Sequence, residues 1–247
     1  MPDAVWRVAI LDSGIAPLPS PAVRRIRRFV DGVDRVIEIE PIADPVGHGT
    51  VVAGIIAGAA RAPQLLLAQV LNERGRCTAA VLAAAIDWAL AERTDLLHLS
   101  VGLLQDRSVL RSAVERAVAS GVLIVAATPA RGRGTYPASY PGVIRATGDA
   151  RCSAAEISHL STPSADFGAC PLHASSSARV SRGASIGAAY LSRFIVSRVA
   201  AGLAAATARE TLTRLASFHG PARHHRPAAH GCARVEFPEP VDSSRAR

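Results

Sequence analysis

Apolar positions along the chain gather into short blocks that stop abruptly at small or polar residues. Val8-Ala9-Ile10-Leu11 ends in Asp12-Ser13-Gly14, and an unbroken apolar run closed by a turn signal predicts a parallel strand buried on both faces. Val51-Val52-Ala53-Gly54-Ile55-Ile56-Ala57-Gly58 is apolar and small enough for a buried helix, with Gly47-His48-Gly49-Thr50 at its start, so His48 is expected in the first turn. Gly183-Ala184-Ser185 opens the longest apolar stretch, Ile186 to Ala208, which places Ser185 at a helix N-terminus. Arg193 and Arg198 interrupt that stretch, so it predicts a buried helix rather than a membrane span. The architecture that holds these segments is α/β: a mainly parallel, twisted sheet with helices on both faces and a crevice at the carboxyl ends of the strands.

The 247 residues, 49% of them apolar, can bury a substantial core, and no long break in composition divides them, so one domain is expected. That domain is read as residues 1–236, followed by a tail, 237–247, rich in proline, serine and arginine and expected to be mobile. Met1 to Val5 carries no charged-then-apolar leader and the first strand begins at about residue 6, so neither a signal peptide nor a prodomain is expected.

The small-residue frames present an acid, a base and a nucleophile in the order Asp12, His48, Ser185. A serine hydroxyl is a poor nucleophile near neutral pH and needs a base within hydrogen-bond reach. His48 suits that role, and a buried carboxylate such as Asp12 would hold its tautomer and stabilise the charge it gains. Taken singly, Asp12 also reads as a turn aspartate, His48 as a turn residue between glycines, and Gly183-Ala184-Ser185 as close helix–sheet packing. The three together, in this order, resemble the subtilisin-like serine proteases from about Val8 to Val235.

Flanking segments extend the resemblance. Ala68-Gln69-Val70-Leu71-Asn72 and Ala84-Ala85-Ile86-Asp87-Trp88-Ala89 are similar to the family's next strand and helix. Leu97-His98-Leu99-Ser100-Val101-Gly102 resembles the strand whose end lines the substrate cleft, which implies that Ser100, Val101 and Gly102 pair with an extended peptide. Leu103 and Leu104 replace small residues in that wall and predict a narrowed primary pocket. Gly121-Val122-Leu123-Ile124-Val125-Ala126-Ala127, Tyr136-Pro137-Ala138-Ser139-Tyr140-Pro141 and the closing Gly231-Cys232-Ala233-Arg234-Val235 also match. The fold implied is a three-layer αβα sandwich.

Two departures bear on mechanism. Where the family places Ala-Gly-Asn after its apolar strand, with the asparagine a donor to the oxyanion, this chain has Thr128-Pro129-Ala130, and its single asparagine, Asn72, lies elsewhere. The backbone N–H of Ser185 remains as one donor, and Thr128, Thr135 or a loop N–H are candidates for a second. Ser185-Ile186-Gly187-Ala188-Ala189 also lacks the proline that follows the family's nucleophile, a change expected to affect local rigidity more than chemistry.

A net charge of +8 comes from 28 arginines without lysine. Arg24, Arg25, Arg27 and Arg28 and the loop Arg131-Gly132-Arg133 are the densest patches, which read as a solvated face or as attraction for an acidic peptide. No nucleic-acid recognition motif accompanies them, so nucleic acid is not an expected partner. Cys77, Cys152, Cys170 and Cys232 show no metal spacing and read as reduced thiols, with a Cys152–Cys170 bond as the alternative. His219, His224, His225, His230 and Cys232 crowd the C-terminal part without a zinc pattern, and Arg223 and Arg226 among them disfavour a cation, so no metal and no cofactor are expected.

The reading that follows is a cytoplasmic serine endopeptidase that processes a dedicated peptide or protein precursor, with an accessory maturation protein as a further partner. Short, prodomain-free enzymes of this kind resemble those that remove leader peptides from modified precursors. The rivals are an inactive scaffold that grips a precursor, and a ligase or macrocyclase that excludes water from the same acyl-enzyme.

Overall fold

The computed structural model describes residues 5–16, 22–174, 180–201 and 204–222. Among them a ten-stranded sheet runs in the order β12 (Phe218–His219), β8 (Ile157–His159), β9 (Phe167–Ala169), β7 (Ile144–Gly148), β6 (Leu123–Ala127), β5 (Leu96–Leu99), β1 (Arg7–Asp12), β4 (Gln64–Gln69), β2 (Val23–Asp31) and β3 (Val36–Ile39). The central pairings, from β7 through β2, are all parallel, and antiparallel pairs occur only near the edges, at β2/β3 and β8/β9. A separate antiparallel pair is formed by β10 (Leu172–Ala174) and β11 (Val180–Arg182).

Burial on both faces explains the apolar blocks. β1 is buried from Val8 to Asp12. Its alternate residues serve different interiors: Val8 and Ile10 pack in the core beneath α1 (His48–Ala57), α4 (Ala184–Arg198) and α5 (Ala205–Leu215). Ala9 and Leu11 pack in the core beneath α2 (Ala79–Ala91) and α3 (Ser108–Ala119). Period-two alternation of side chains across the sheet produces this division, and β4, β5 and β6 repeat it. The result is the three-layer α/β sandwich expected from the sequence.

Some expectations are corrected. The stretch from Ile186 to Ala208 is not one helix: α4 ends at Arg198, Val199 adopts an extended conformation, and α5 begins at Ala205. Val199 is buried and its carbonyl accepts a hydrogen bond from the Trp6 indole N–H at 3.1 Å, which latches the chain beside β1 in place of another helical turn. No helix among the described residues is long and apolar enough to cross a membrane. Cys152 and Cys170 are not bonded to each other: Cys152 is a free thiol whose Sγ faces the Gly168 carbonyl, whereas Cys170 takes part in a disulfide and so is not the reduced thiol expected. The closing segment 231–235, the tail 237–247, His224, His225, His230 and Cys232 lie outside the described residues.

Candidate active site

Three elements that meet at the carboxyl edge of the sheet deliver the candidate residues. Asp12 is the last residue of β1, with its side chain 2% exposed, and the Ser13 N–H donates to its Oδ1 at 2.7 Å. His48 is the first residue of α1. Its Nδ1 lies 2.8 and 3.0 Å from the two Asp12 carboxylate oxygens, and its Nε2 lies 2.9 Å from Ser185 Oγ. Because the carboxylate only accepts, Nδ1 is the donor and Nε2 of the neutral ring is left to accept from the serine hydroxyl. The structure thus brings together residues 36 and 137 positions apart in sequence.

Close backbone approach sets this geometry. Gly47 caps α1 at φ 79°, a left-handed conformation that glycine adopts without steric cost. A Cβ at Gly49 would stand 2.2 Å from the Gly14 carbonyl oxygen, and one at Gly187 would stand 2.3 Å from that of Thr147. Only glycine lets the first turns of α1 and α4 press this tightly on the loop that follows β1 and on the end of β7. The Gly49 N–H also donates to Ser13 Oγ at 2.9 Å, tying the histidine's turn directly to the aspartate's.

Two contributors escaped the sequence reading. Asp44 organises the turn before α1: its Oδ1 accepts from the N–H groups of Val46 (3.1 Å) and Gly47 (2.8 Å), and its Oδ2 from the Thr50 N–H (2.9 Å) and hydroxyl (2.7 Å). The readable signal was an aspartate three residues before Gly47 and six before Thr50, a side-chain cap displaced from its usual position. His98 is fully buried in β5, with Nδ1 2.9 Å from Ser192 Oγ on α4 and Nε2 2.9 Å from Ser100 Oγ. Its signal was one polar residue on the buried face of an otherwise apolar strand.

Electrostatics separate the two histidines. Burial pulls the His48 pKa down, but the Asp12 hydrogen bond, the Asp12 charge and the charge of Asp44 outweigh it, so the value is raised from 6.5. Burial pushes His98 down to about 4, against the pull of Asp12 and with the repulsion of His48. His98 is therefore a neutral ring at ordinary pH, and His48 is the ring that takes up a proton.

Ser185 is the second residue of α4, whose first helical hydrogen bond runs from the Gly187 N–H to the Gly183 carbonyl at 3.1 Å. The Ser185 N–H precedes that bond and has no acceptor in the helix, as expected for a first turn. The Thr128 N–H is committed to the Ala146 carbonyl at 2.8 Å, so this buried residue has only its hydroxyl to offer. Ala130 is exposed. Ser100, Val101 and Gly102 continue from β5, and the register Leu11↔Leu99 starts them beside Asp12. Leu103 and Tyr136 then exchange two backbone hydrogen bonds of 2.7 and 2.8 Å, closing the wall against the segment that carries Thr135. The Thr135 hydroxyl is buried beside Gly102, without a hydrogen-bond partner among the described residues. A serine hydroxyl, an imidazole, a buried carboxylate and a first-turn helix N–H are thereby grouped at the start of the Ser100–Gly102 wall, an arrangement with the groups that acyl transfer uses.

Comparison with known proteins bears on the family. The sequence model of the Subtilase family matches residues 5–192. The chain is 33% identical over 150 residues to the minor extracellular protease Epr of Bacillus subtilis (strain 168), covering 56% of this chain and 22% of that protein. It is 35% identical over 149 residues to the thermostable alkaline protease of Halalkalibacterium halodurans, covering 56% and 40%. With subtilisin E of Bacillus subtilis (strain 168) it shares 32% over 154 residues, covering 56% and 39%. The matched region thus spans less than half the length of these relatives. Among solved structures, sphericase superposes with a TM-score of 0.63 at 23% identity, over 86% of this chain and 83% of its own. On the extent of the family match, the chain belongs to the subtilase family.

Proposed function

We propose that the protein is a serine endopeptidase that cuts a dedicated peptide or protein precursor. The observation that carries this reading is the unbroken chain from Ser185 Oγ through His48 to Asp12, with contacts of 2.9 and 2.8 Å. Ser185 Oγ attacks the scissile carbonyl carbon while its proton passes to His48 Nε2. The Ser185 N–H donates to the oxyanion that forms, and a second donor comes from Thr128 or a neighbouring loop group. Collapse breaks the C–N bond, and the leaving amine takes the proton from His48. Water then gives a proton to His48 Nε2 and attacks the ester. The second collapse restores Ser185 and releases the carboxylic acid.

Dedication to one substrate is supported by the oxyanion site. Without a side-chain amide at Ala130, turnover is expected to fall by about a hundred- to a thousandfold, a rate suited to cutting one partner once. Leader removal is the task that fits. In this the chain looks most like the protease of quinohaemoprotein amine dehydrogenase maturation, which trims a leader from a crosslinked subunit, and an accessory maturation protein joins the substrate as a partner. In this reading the enzyme works in the cytoplasm, where the Cys77 and Cys152 thiols stay reduced. The Cys170 disulfide is what an oxidising compartment would supply instead, and alkylation of cysteines in freshly lysed cells distinguishes the two.

The test is mass spectrometry after treatment with a fluorophosphonate. A single adduct on Ser185, lost in both Ser185→Ala and His48→Ala, is expected. A folded protein that takes no adduct overturns the enzymatic reading and leaves a precursor-binding scaffold. Product masses separate hydrolysis, which adds water, from ligation, which does not.

A further inference from the structure

Two cavities meet at the N-terminus of α2. The first, of about 500 Å³, lies between Gly102, Leu103 and Leu104 on one side and Cys77, Thr78 and Ala79 on the other, so it continues directly from the wall beside Asp12. The second, of about 430 Å³, shares Cys77 and Thr78 with it and has Phe29, Val70 and Val81 as apolar lining. Arg28 and Arg76 line this far cavity, and Arg107 lines the near one. A peptide extended over Ser100–Gly102 and onward past Cys77 would reach the two arginines with its side chains.

Charge in the far cavity is unbalanced. Its acid is Asp31, whose carboxylate accepts the Thr78 hydroxyl at 2.8 Å. Burial and Asp31 push the Cys77 thiol up to about 12, so it adds no negative charge. Some arginines of the chain are matched by acids: Arg25 pairs with Glu92, Arg27 with Glu38 and Arg116 with Asp87. Arg28 and Arg76, by contrast, have no ion pair among the described residues. Two arginines that line one cavity, with a single acid beside them, suit a carboxylate able to accept from both.

We propose that the cavity bounded by Arg28 and Arg76 is a subsite for an Asp or Glu side chain of the substrate, so that the enzyme selects precursors carrying an acid beyond the residues that lie against Ser100–Gly102. The inference rests on the endopeptidase reading for its substrate. Two partly exposed ion pairs contribute a factor of about three each, so an acid at the right position strengthens binding about tenfold. The preference is expected to weaken as salt is raised, since the groups stay in contact with water.

The experiment walks one Glu, or one Gln as control, through successive positions on both sides of the cleavage point in a series of fluorescent peptides. Binding to the Ser185→Ala protein is read by anisotropy, while fluorophosphonate labelling of Ser185 is read in parallel on the protein with its serine intact. A Glu preference confined to one window of positions, abolished in Arg28→Gln/Arg76→Gln and kept in a variant of the remote Arg214, is expected. Equal binding of the Glu and Gln series, or a preference that survives the double substitution, overturns the subsite. Absence of labelling overturns the endopeptidase reading instead, and the Glu-against-Gln comparison still reports on the cavity.

Discussion

Replacing Asp44 by alanine should disturb both the stability of the protein and the titration of its base. The substitution removes the acceptor of four hydrogen bonds that hold the turn from Val46 to Thr50, all between 2.7 and 3.1 Å. A cap alone is worth about 1 kcal/mol, and charge-assisted bonds add to it; discounted for the partial exposure of Asp44, the loss should be about 2 kcal/mol. For a chain of this length that corresponds to a fall of about 4–8 °C in Tm. Burial raises the Asp44 pKa, but the Thr50 hydroxyl and N–H, the Ser13 hydroxyl and the Gly47 N–H outweigh it and leave the value below 3.8. A depressed folded-state pKa gives stability that is present above the unfolded value and lost as pH falls through the folded one. The difference between the two proteins should therefore be full at neutral pH and close in acid. Asp44 also helps hold the His48 pKa above 6.5. The acid limb of fluorophosphonate labelling, measured as rate against pH, should start above 6.5 and shift to lower pH in Asp44→Ala. A variant that melts with the wild type and keeps the same acid limb would refute the assignment of Asp44 as the organiser of this turn.

Three further substitutions probe separate parts of the site. In Gly187→Ala the new methyl meets the Thr147 backbone at 2.3 Å, so α4 must lift; labelling of Ser185 should slow about a hundredfold, as for a displaced nucleophile, and unchanged labelling would refute the close-packing argument. His98→Leu leaves the Ser192 and Ser100 hydroxyls without their ring partner and should cost about 2–4 kcal/mol in urea unfolding. Because the His98 pKa falls to about 4 on folding, the wild type loses stability as pH drops from 6.5 towards 4, and its advantage over the leucine variant should narrow there. Ala130→Asn, at an exposed position, should raise peptide turnover about ten- to a hundredfold if the amide reaches the oxyanion; an unchanged rate would mean that another donor already fills the place.

What was legible in the sequence were the features set by local pattern. Val8 to Leu11 had to be a strand because nothing in it tolerates water, and its end fixed where Asp12 would emerge. Gly49 and Gly187 were visible as small residues, yet the carbonyls they make room for come from Gly14 and Thr147, which only the tertiary arrangement brings near. Asp44 and His98 were passed over because each acts on partners distant in space or displaced from a standard motif. The single long helix expected after Ser185 failed because hydropathy does not register an extended residue such as Val199, whose conformation is held by an indole 193 positions away.

The division of the interior into two cores has a consequence for how the protein would fail. α1 and α4, which carry His48 and Ser185, rest on the Ile10 side of the sheet, whereas Val101 and the residues packed with it, Leu103 and Cys77, rest on the Leu11 side with α2 and α3. On the proposed reading, the apolar anchors of reactivity and of the Val101–Leu103 wall lie in separate cores on the two faces of the sheet, with His98 bonding Ser100 of that wall to Ser192 on α4. Loosening the second, for example by Leu110→Ala, should yield a protein that still takes a fluorophosphonate on Ser185 but no longer distinguishes one peptide from another. Blindness to substrate would then precede loss of chemistry as the molecule is destabilised.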